Sequence, residues 1–231
     1  MSNFLFTGAS LQNGRSSNMD SLLIKQRSID NSDAILAVVC DGVGSLEDGG
    51  LAAGMAVHLL NDWFDSIEST ARIGIKMRDY VLDVNAKIIA QAKENKKNTA
   101  TTLTALLLLD STYFITHVGD SRAYSYCNIN EELLQITTDD VSEAGKLTSV
   151  IGRVLNILPQ YYEGSIAGKT FLICSDGLIK RMDVEYLSTE IKLRTKTKKD
   201  MKIITKTLPQ YVIGRGERDN ISFALLRSVL Q

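Results

Sequence analysis

Four aspartates in this chain sit beside a glycine or an asparagine at the end of an apolar run. Asp41-Gly42-Val43-Gly44 follows Ile35 to Cys40, and Ser175-Asp176-Gly177-Leu178 follows Thr170 to Cys174. Phe114 to Val118 ends in Gly119-Asp120-Ser121-Arg122, and Arg218-Asp219-Asn220 leads into Ile221 to Leu226. A buried carboxylate is costly unless it is paired or coordinates a metal. Glycine lets the backbone turn sharply and lets its carbonyls approach a ligand closely. One Asp-Gly of this kind is more often a turn or a helix cap. Its repetition along the whole chain points to one oxygen-rich metal centre between sheets. All-oxygen ligation suits Mg²⁺ or Mn²⁺.

Strands and helices must position these carboxylates. Ile35 to Cys40 is an unbroken apolar run of strand length, read as buried on both faces. Residues 3 to 9 read as an edge strand, 99 to 109 and 114 to 118 as strands around a hairpin turn at Asp110-Ser111-Thr112. Ala123 to Tyr126 and Leu133 to Ile136 follow as strands, with a turn at Asn128-Ile129-Asn130. Ser165 to Cys174 reads as two short strands around Ala167-Gly168-Lys169. Helical spacing places helices over 51–65, 71–93, 183–192 and 200–213, the first with a core stripe of Leu51, Met55, Leu59 and Trp63. The second takes its apolar side from Ile75, Met77, Val81, Leu82, Val84, Ile88 and Ile89. Runs of strand with two helical pairs, without strict alternation, give an α+β class: an antiparallel two-sheet core covered by helices.

At 231 residues, 44% of them hydrophobic, the chain suits one domain spanning 1–231. Charges balance, 26 basic against 27 acidic, so nothing calls for nucleic acid or a membrane surface as partner. The basic stretch from Lys192 to Lys206 reads as a solvated face. Three cysteines argue against a disulfide framework, and Cys40 and Cys174 read as small core residues. No signal peptide and no membrane span are legible, so a cytoplasmic monomer is expected. His58 and His117 read as structural. Arg122 is placed to pair with a carboxylate. Arg15 has two readings, a surface ion pair or a planar fork for two phosphate oxygens.

These residues carry a family resemblance. The four aspartate motifs resemble, in the same order, those of the metal-dependent protein phosphatases of type 2C, bacterial type. Arg15-Ser16-Ser17-Asn18-Met19-Asp20 is similar to that family's N-terminal Arg-x-x-Asn-Glu-Asp, and Ala100-Thr101-Thr102-Leu103 to its Gly-Thr-Thr segment. The resemblance implies a four-layer αββα sandwich with two central antiparallel sheets and the metals at one end. It implies two Mn²⁺ or Mg²⁺ ions. Asp41 is then the bridging ligand, the Gly42 carbonyl a ligand of one ion, and Asp176 and Asp219 ligands of the other. Asp120 with Asp176 is implied to hold a third, weaker ion, Asp20 to stand near a metal, and Arg15 to grip the phosphate. The implied activity is hydrolysis of phosphoserine and phosphothreonine in proteins by a hydroxide bridging the metals. A cognate Ser/Thr kinase or its targets are the implied partners.

The chain departs from that pattern in places. Met19 stands where the family has Glu, and a thioether cannot replace a hard oxygen ligand. Ser45 replaces a usual Gly, Val43 offers no general acid, and Asp140 stands where His is usual. Leu147-Thr148-Ser149-Val150-Ile151-Gly152 follows almost at once, so the flap around 139–152 reads as shortened and the groove as open. Met19 feeds an alternative: a catalytically weak or dead relative that binds a phosphoprotein or kinase. A third reading is an unrelated metal hydrolase acting on a small phosphoester.

Overall fold

The apolar runs read above become strands with both faces covered, because their side chains alternate between two apolar layers. The computed structural model describes residues 4–44, 46 and 48–229. In chain order it contains β1 (Phe4–Leu11), β2 (Asp20–Ile29), β3 (Ser32–Asp41), α1 (Gly49–Ser66), α2 (Ile73–Glu94), β4 (Leu103–Leu109) and β5 (Thr112–Val118). There follow β6 (Arg122–Cys127), β7 (Glu132–Gln135), β8 (Gln160–Ser165), β9 (Lys169–Cys174), α3 (Asp176–Ile179), α4 (Val184–Arg194), α5 (Lys198–Gly214) and β10 (Ile221–Ser228). One sheet runs β1-β10-β9-β6-β7 and the other β2-β3-β4-β5-β8, every pairing antiparallel.

The layers follow from this alternation. On β3, Ile35, Ala37 and Val39 face the other sheet and meet Phe171 and Ile173 of β9 and Ala224 and Leu226 of β10. Ala34, Leu36, Val38 and Cys40 point the other way, into a layer closed by Ala52, Ala56 and Leu60 of α1 and Met77, Val81 and Ile88 of α2. The second sheet does the same, turning Leu172, Phe223 and Leu225 toward Leu187 and Ile191 of α4 and Ile204 and Leu208 of α5. The result is helices, sheet, sheet, helices: the α+β four-layer sandwich expected from the sequence. Cys40 and Cys174 are fully buried in the two helix-facing layers. Burial pushes the Cys40 thiol up and the Cys174 thiol up to about 12, so both stay protonated.

Several elements differ from the periodicity reading. On α1 the buried face is Ala52, Ala53, Ala56, Leu60, Trp63 and Phe64, whereas Leu51 is exposed and Met55 and Leu59 pack only at the edge. Small side chains bring α1 close to the sheet, so the face is set by alanines that carry little hydrophobic signal. On α2, Leu82 is exposed and Asn85 is buried. The strand expected from residue 99 starts at Leu103, because Thr101 and Thr102 are held by the Asp41 loop instead. β8 starts at Gln160 rather than Ser165. It is an edge strand of half-exposed polar and aromatic residues paired with β5, and so shows no apolar run. Residue 3 and Ser45, which the sequence reading also used, lie outside the described residues.

The connection 136–159 contains no helix or named strand; it holds a turn closed by a Val141–Leu147 bridge and is pinned to Thr101 by a second bridge at Ile151. Its far end is stapled by the fully buried Asn85 of α2. The Asn85 amide donates to the carbonyls of Val154 (2.8 Å) and Leu155 (3.2 Å), and its Oδ1 accepts from the Gly152 N–H at 2.7 Å. The lysines between 192 and 206 are exposed, Lys192 pairing with Glu131, as a solvated face should be.

Candidate active site

The register of two strands brings the first carboxylates together. Antiparallel pairing of β2 with β3 sets Asp20 opposite Asp41. Thr102 then fixes the strand end: its N–H donates to the Asp41 carbonyl at 2.9 Å and its hydroxyl accepts from the Asp41 N–H at 3.0 Å. The Thr101 hydroxyl donates to the same carbonyl at 3.0 Å, and the Val43 N–H donates to Ala100 at 2.9 Å. Thus the Ala-Thr-Thr segment splints the Asp41 loop. Gly42 sits where a Cβ would collide with the backbone of Gly49 and Met19, leaving its peptide pressed between two others.

The other sheet supplies Asp176 and Asp219. β9 ends at Cys174, and the N–H of Ser175 donates to the Ser222 carbonyl of β10 at 2.9 Å. Asp176 opens α3, and Asp219 enters just before β10. Asn220 ties that entry to the N-terminal loop. Its amide donates to the carbonyls of Gln12 (2.8 Å) and Ser17 (2.9 Å), and its Oδ1 accepts from the Met19 N–H at 3.0 Å. Arg15 on the same loop grips Asp219 with two parallel bonds of 2.8 Å. Asp120 comes from the β5–β6 turn, which is braced from the flap side: Asp140 accepts from the Gly119 N–H at 2.9 Å and donates its own N–H to the Gly119 carbonyl at 2.7 Å.

A cleft of about 500 Å³ results, lined by Arg15, Met19, Asp41, Asp120, Asp176 and Asp219 among others. Every expected site residue except Asp20 lines it, Gly42 included. Asp20 is buried beneath, where its Oδ2 accepts from the Ser175 hydroxyl at 2.9 Å and its Oδ1 has no partner. Met19 contributes backbone bonds and a thioether wall. His117 is fully buried, with Nδ1 at 2.9 Å from the Thr104 hydroxyl and Nε2 at 3.0 Å from the Gly119 carbonyl. The carbonyl can only accept, so Nε2 carries the proton, and burial holds the ring neutral. It is structural, as is the exposed His58 beside Asp62. Arg122 forks onto Asp139, with Nη2 to Oδ2 at 2.7 Å.

The carboxylates repel one another. Burial, then Asp20, Asp176, Asp120 and Asp219, push Asp41 well above the usual carboxylate range. Burial first, and Asp176 among the neighbouring charges, take Asp20 up to about 6 and Asp120 up to about 6. Burial also acts against the Asp219 charge, but the Arg15 fork and the Asn220 N–H outweigh it and hold Asp219 below its usual value. A stability signature follows. Carboxyls that hold protons more tightly folded than unfolded lose stability as pH rises from their ordinary range near 4 through their folded values. The metal-free protein should therefore melt at higher temperature at pH 5 than at pH 7, and saturating Mn²⁺ should flatten or reverse that slope. A metal-free melting temperature that rises from pH 5 to 7 would contradict the proposed crowding of charge.

The donor set fits a hard divalent cation. All donors are oxygens, the cluster carries excess negative charge, and two buried carboxylate oxygens, Asp20 Oδ1 and Asp176 Oδ1, have no hydrogen-bond partner. Among the described residues, no three His, Cys, Asp or Glu side chains stand together as a finished metal cage. Two cations take part of that place instead: Arg15 on Asp219, and Lys180 on Asp176 Oδ2. The sequence reading missed Lys180, and with it the roles of Asn220, Ser175 and Thr102. The one available signal for Lys180 was its spacing, one helical turn after Asp176.

The protein phosphatase 2C family model matches residues 7–208. The chain therefore belongs to the protein phosphatase 2C family. It is similar to the serine/threonine phosphatase stp of Listeria monocytogenes, 28% identical over 83% of each chain. It is also similar to the serine/threonine protein phosphatase PstP of Mycobacterium tuberculosis, 30% identical over 63% of this chain and 32% of that one. Among solved structures, Stp1 from Staphylococcus aureus superposes with a TM-score of 0.84 at 22% identity, covering 100% of this chain and 96% of that one. The PstP catalytic domain in complex with two manganese ions gives 0.80 at 24% identity, covering 98% and 99%. These structural likenesses show the same fold.

Proposed function

We propose that this chain is a metal-dependent phosphoprotein phosphatase that hydrolyses phosphoserine and phosphothreonine. The observation that carries the proposal is the convergence of Asp41, Asp120, Asp176 and Asp219 from both sheets on one cleft, over the buried Asp20, in a chain of this family. Asp41 and the Gly42 carbonyl would hold one divalent ion, and Asp176 and Asp219 the other, with Asp41 shared and Asp20 supporting from below. Such a pair, when bound, supplies a water of lowered pKa and neutralises charge in an in-line displacement.

The chain's own residues do the rest. Arg15 is half exposed on a loop, so it can leave Asp219 when a cation takes that carboxylate. Its planar fork then holds two phosphate oxygens and sets the ester in line. Neutral His117, with both nitrogens engaged, takes no proton from the cleft. Val43 has none to give, so the leaving serine or threonine oxygen is protonated by water. The short connection 139–152 leaves the cleft open to a phosphorylated segment of another protein. We take 1–231 as a single domain acting as a cytoplasmic monomer, on targets of a Ser/Thr kinase. Among the described residues no helix is long and apolar enough to cross a membrane. The reading as a dead binding relative is not favoured, because Arg15 and the four cleft aspartates all face one cleft.

The test is hydrolysis of a phosphothreonine peptide with Mn²⁺, with Mg²⁺ and with EDTA, beside a nucleotide. Turnover of the peptide with metal, abolished by EDTA, is expected. Folded protein that turns over nothing with either ion would sink the proposal. Preference for the nucleotide would move the substrate to small phosphoesters.

A further inference from the structure

Two cations pair with carboxylates of the cleft, and they differ in how they are held. Arg15 sits on a loop. Lys180 caps α3, its N–H donating to the Asp176 carbonyl at 2.9 Å, so its side chain rises on the same face as the Asp176 carboxylate one turn earlier. Its ammonium pairs with Asp176 Oδ2. The other oxygen, Asp176 Oδ1, is buried and has no partner. The two oxygens of one carboxylate are thereby given different work. The ammonium's field extends to Asp120 and Asp219, and it offsets part of the repulsion that Asp176 exerts on Asp120.

We propose that the Lys180 ammonium takes the place of a third divalent ion at the Asp120–Asp176 end of the cleft, so that the chain binds two ions and excludes another there. This rests on the phosphatase reading above. Two physical effects act together. With Oδ2 engaged by Lys180, Asp176 has only Oδ1 to give, and the metal pair needs it. Asp120 is then left as a single carboxylate, a weaker site than the pair would make, because water must supply every other ligand. The ammonium paired with Asp176 also sets a positive charge near Asp120, and like charge there disfavours a further cation.

Metal stoichiometry tests this without reference to turnover. Mn²⁺ binding would be measured by equilibrium dialysis and calorimetry for the wild type, Lys180→Ala, Lys180→Gln and the double variant Lys180→Ala with Asp120→Asn. Lys180→Gln removes the charge and keeps a polar side chain on a shorter stem. The wild type should take two equivalents, and each single variant a third, bound about tenfold tighter or more than any residual third site of the wild type. The double variant should return to two. The proposal is overturned if the wild type binds three ions, or if both Lys180 variants remain at two. No Mn²⁺ binding to wild type at all would remove the phosphatase reading itself, which separates that failure from failure of the lysine's role.

Discussion

Replacing Asp176 by Asn should lower metal-dependent peptide hydrolysis by about a thousandfold or more, the scale reached when a charge that acts chiefly in the transition state is removed. The amide keeps the shape of the side chain and loses the negative charge on both oxygens. The orphaned Oδ1 is the atom left without a protein partner, and a neutral amide oxygen is a far poorer ligand for a hard cation. The same change should act in the opposite direction on the metal-free fold. Asp176 is among the charges that push up Asp41, Asp20 and Asp120, so its neutralisation relieves three neighbours at once. The half-exposed Lys180 that loses its partner is resolvated at small cost. Activity should therefore fall while the metal-free melting temperature at pH 7 holds or rises. A variant that keeps activity within tenfold would remove Asp176 from the ligand set. A variant that loses activity by unfolding would show a lowered melting temperature instead.

The second large effect lies at Gly177. A Cβ there would run into the carbonyl oxygen of Asn220, with the Asn220 carbonyl carbon at 3.1 Å and the Asp219 Cβ at 3.3 Å. None of these atoms is the end of a flexible side chain. Asn220 is pinned by its three bonds to the 12–19 loop, so the strain cannot be relieved by one residue. Gly177→Ala should cost about 3 kcal/mol, the upper range for overpacking a close-fitted interior. For a chain of this size that lowers the melting temperature by roughly 6–12 °C. Because the displaced backbone carries Asp219, Mn²⁺ affinity should fall even in the fraction that stays folded. Calorimetry with and without Mn²⁺ checks both, since the variant should gain fewer degrees from the metal than the wild type. An unchanged melting curve would mean that α3 and the β10 entry are not in contact as described.

The sheets were legible because β3, β4, β9 and β10 are buried on both faces and so read as continuous apolar runs. The carboxylates that line the cleft were legible for a related reason: each sits beside the end of an apolar run, Asp219 just before one and the others just after. What escaped was set by contacts between distant segments. Asn220 looks like any turn residue until the Gln12, Ser17 and Met19 backbone is placed against it. Lys180 looks like a surface lysine until Asp120 is brought near Asp176. The α1 face was misread because Ala52, Ala53 and Ala56 do the packing, and a stripe of large residues outweighs them in any periodicity. β8 was half missed because an edge strand needs only one partner and little apolar surface.

The pairing of β1 with β10 has a consequence for how the protein is made. It joins Phe4 to Ser228 and Leu11 to Ile221, the first described strand to the last. Arg15 follows β1 and Asp219 precedes β10, so their union waits until β10 has been made. Until then a nascent chain carries Asp41, Asp120 and Asp176 without the partner that completes the cleft. A chain stopped short of β10 therefore lacks Asp219 and the strand that pairs with β1, and its cleft is incomplete.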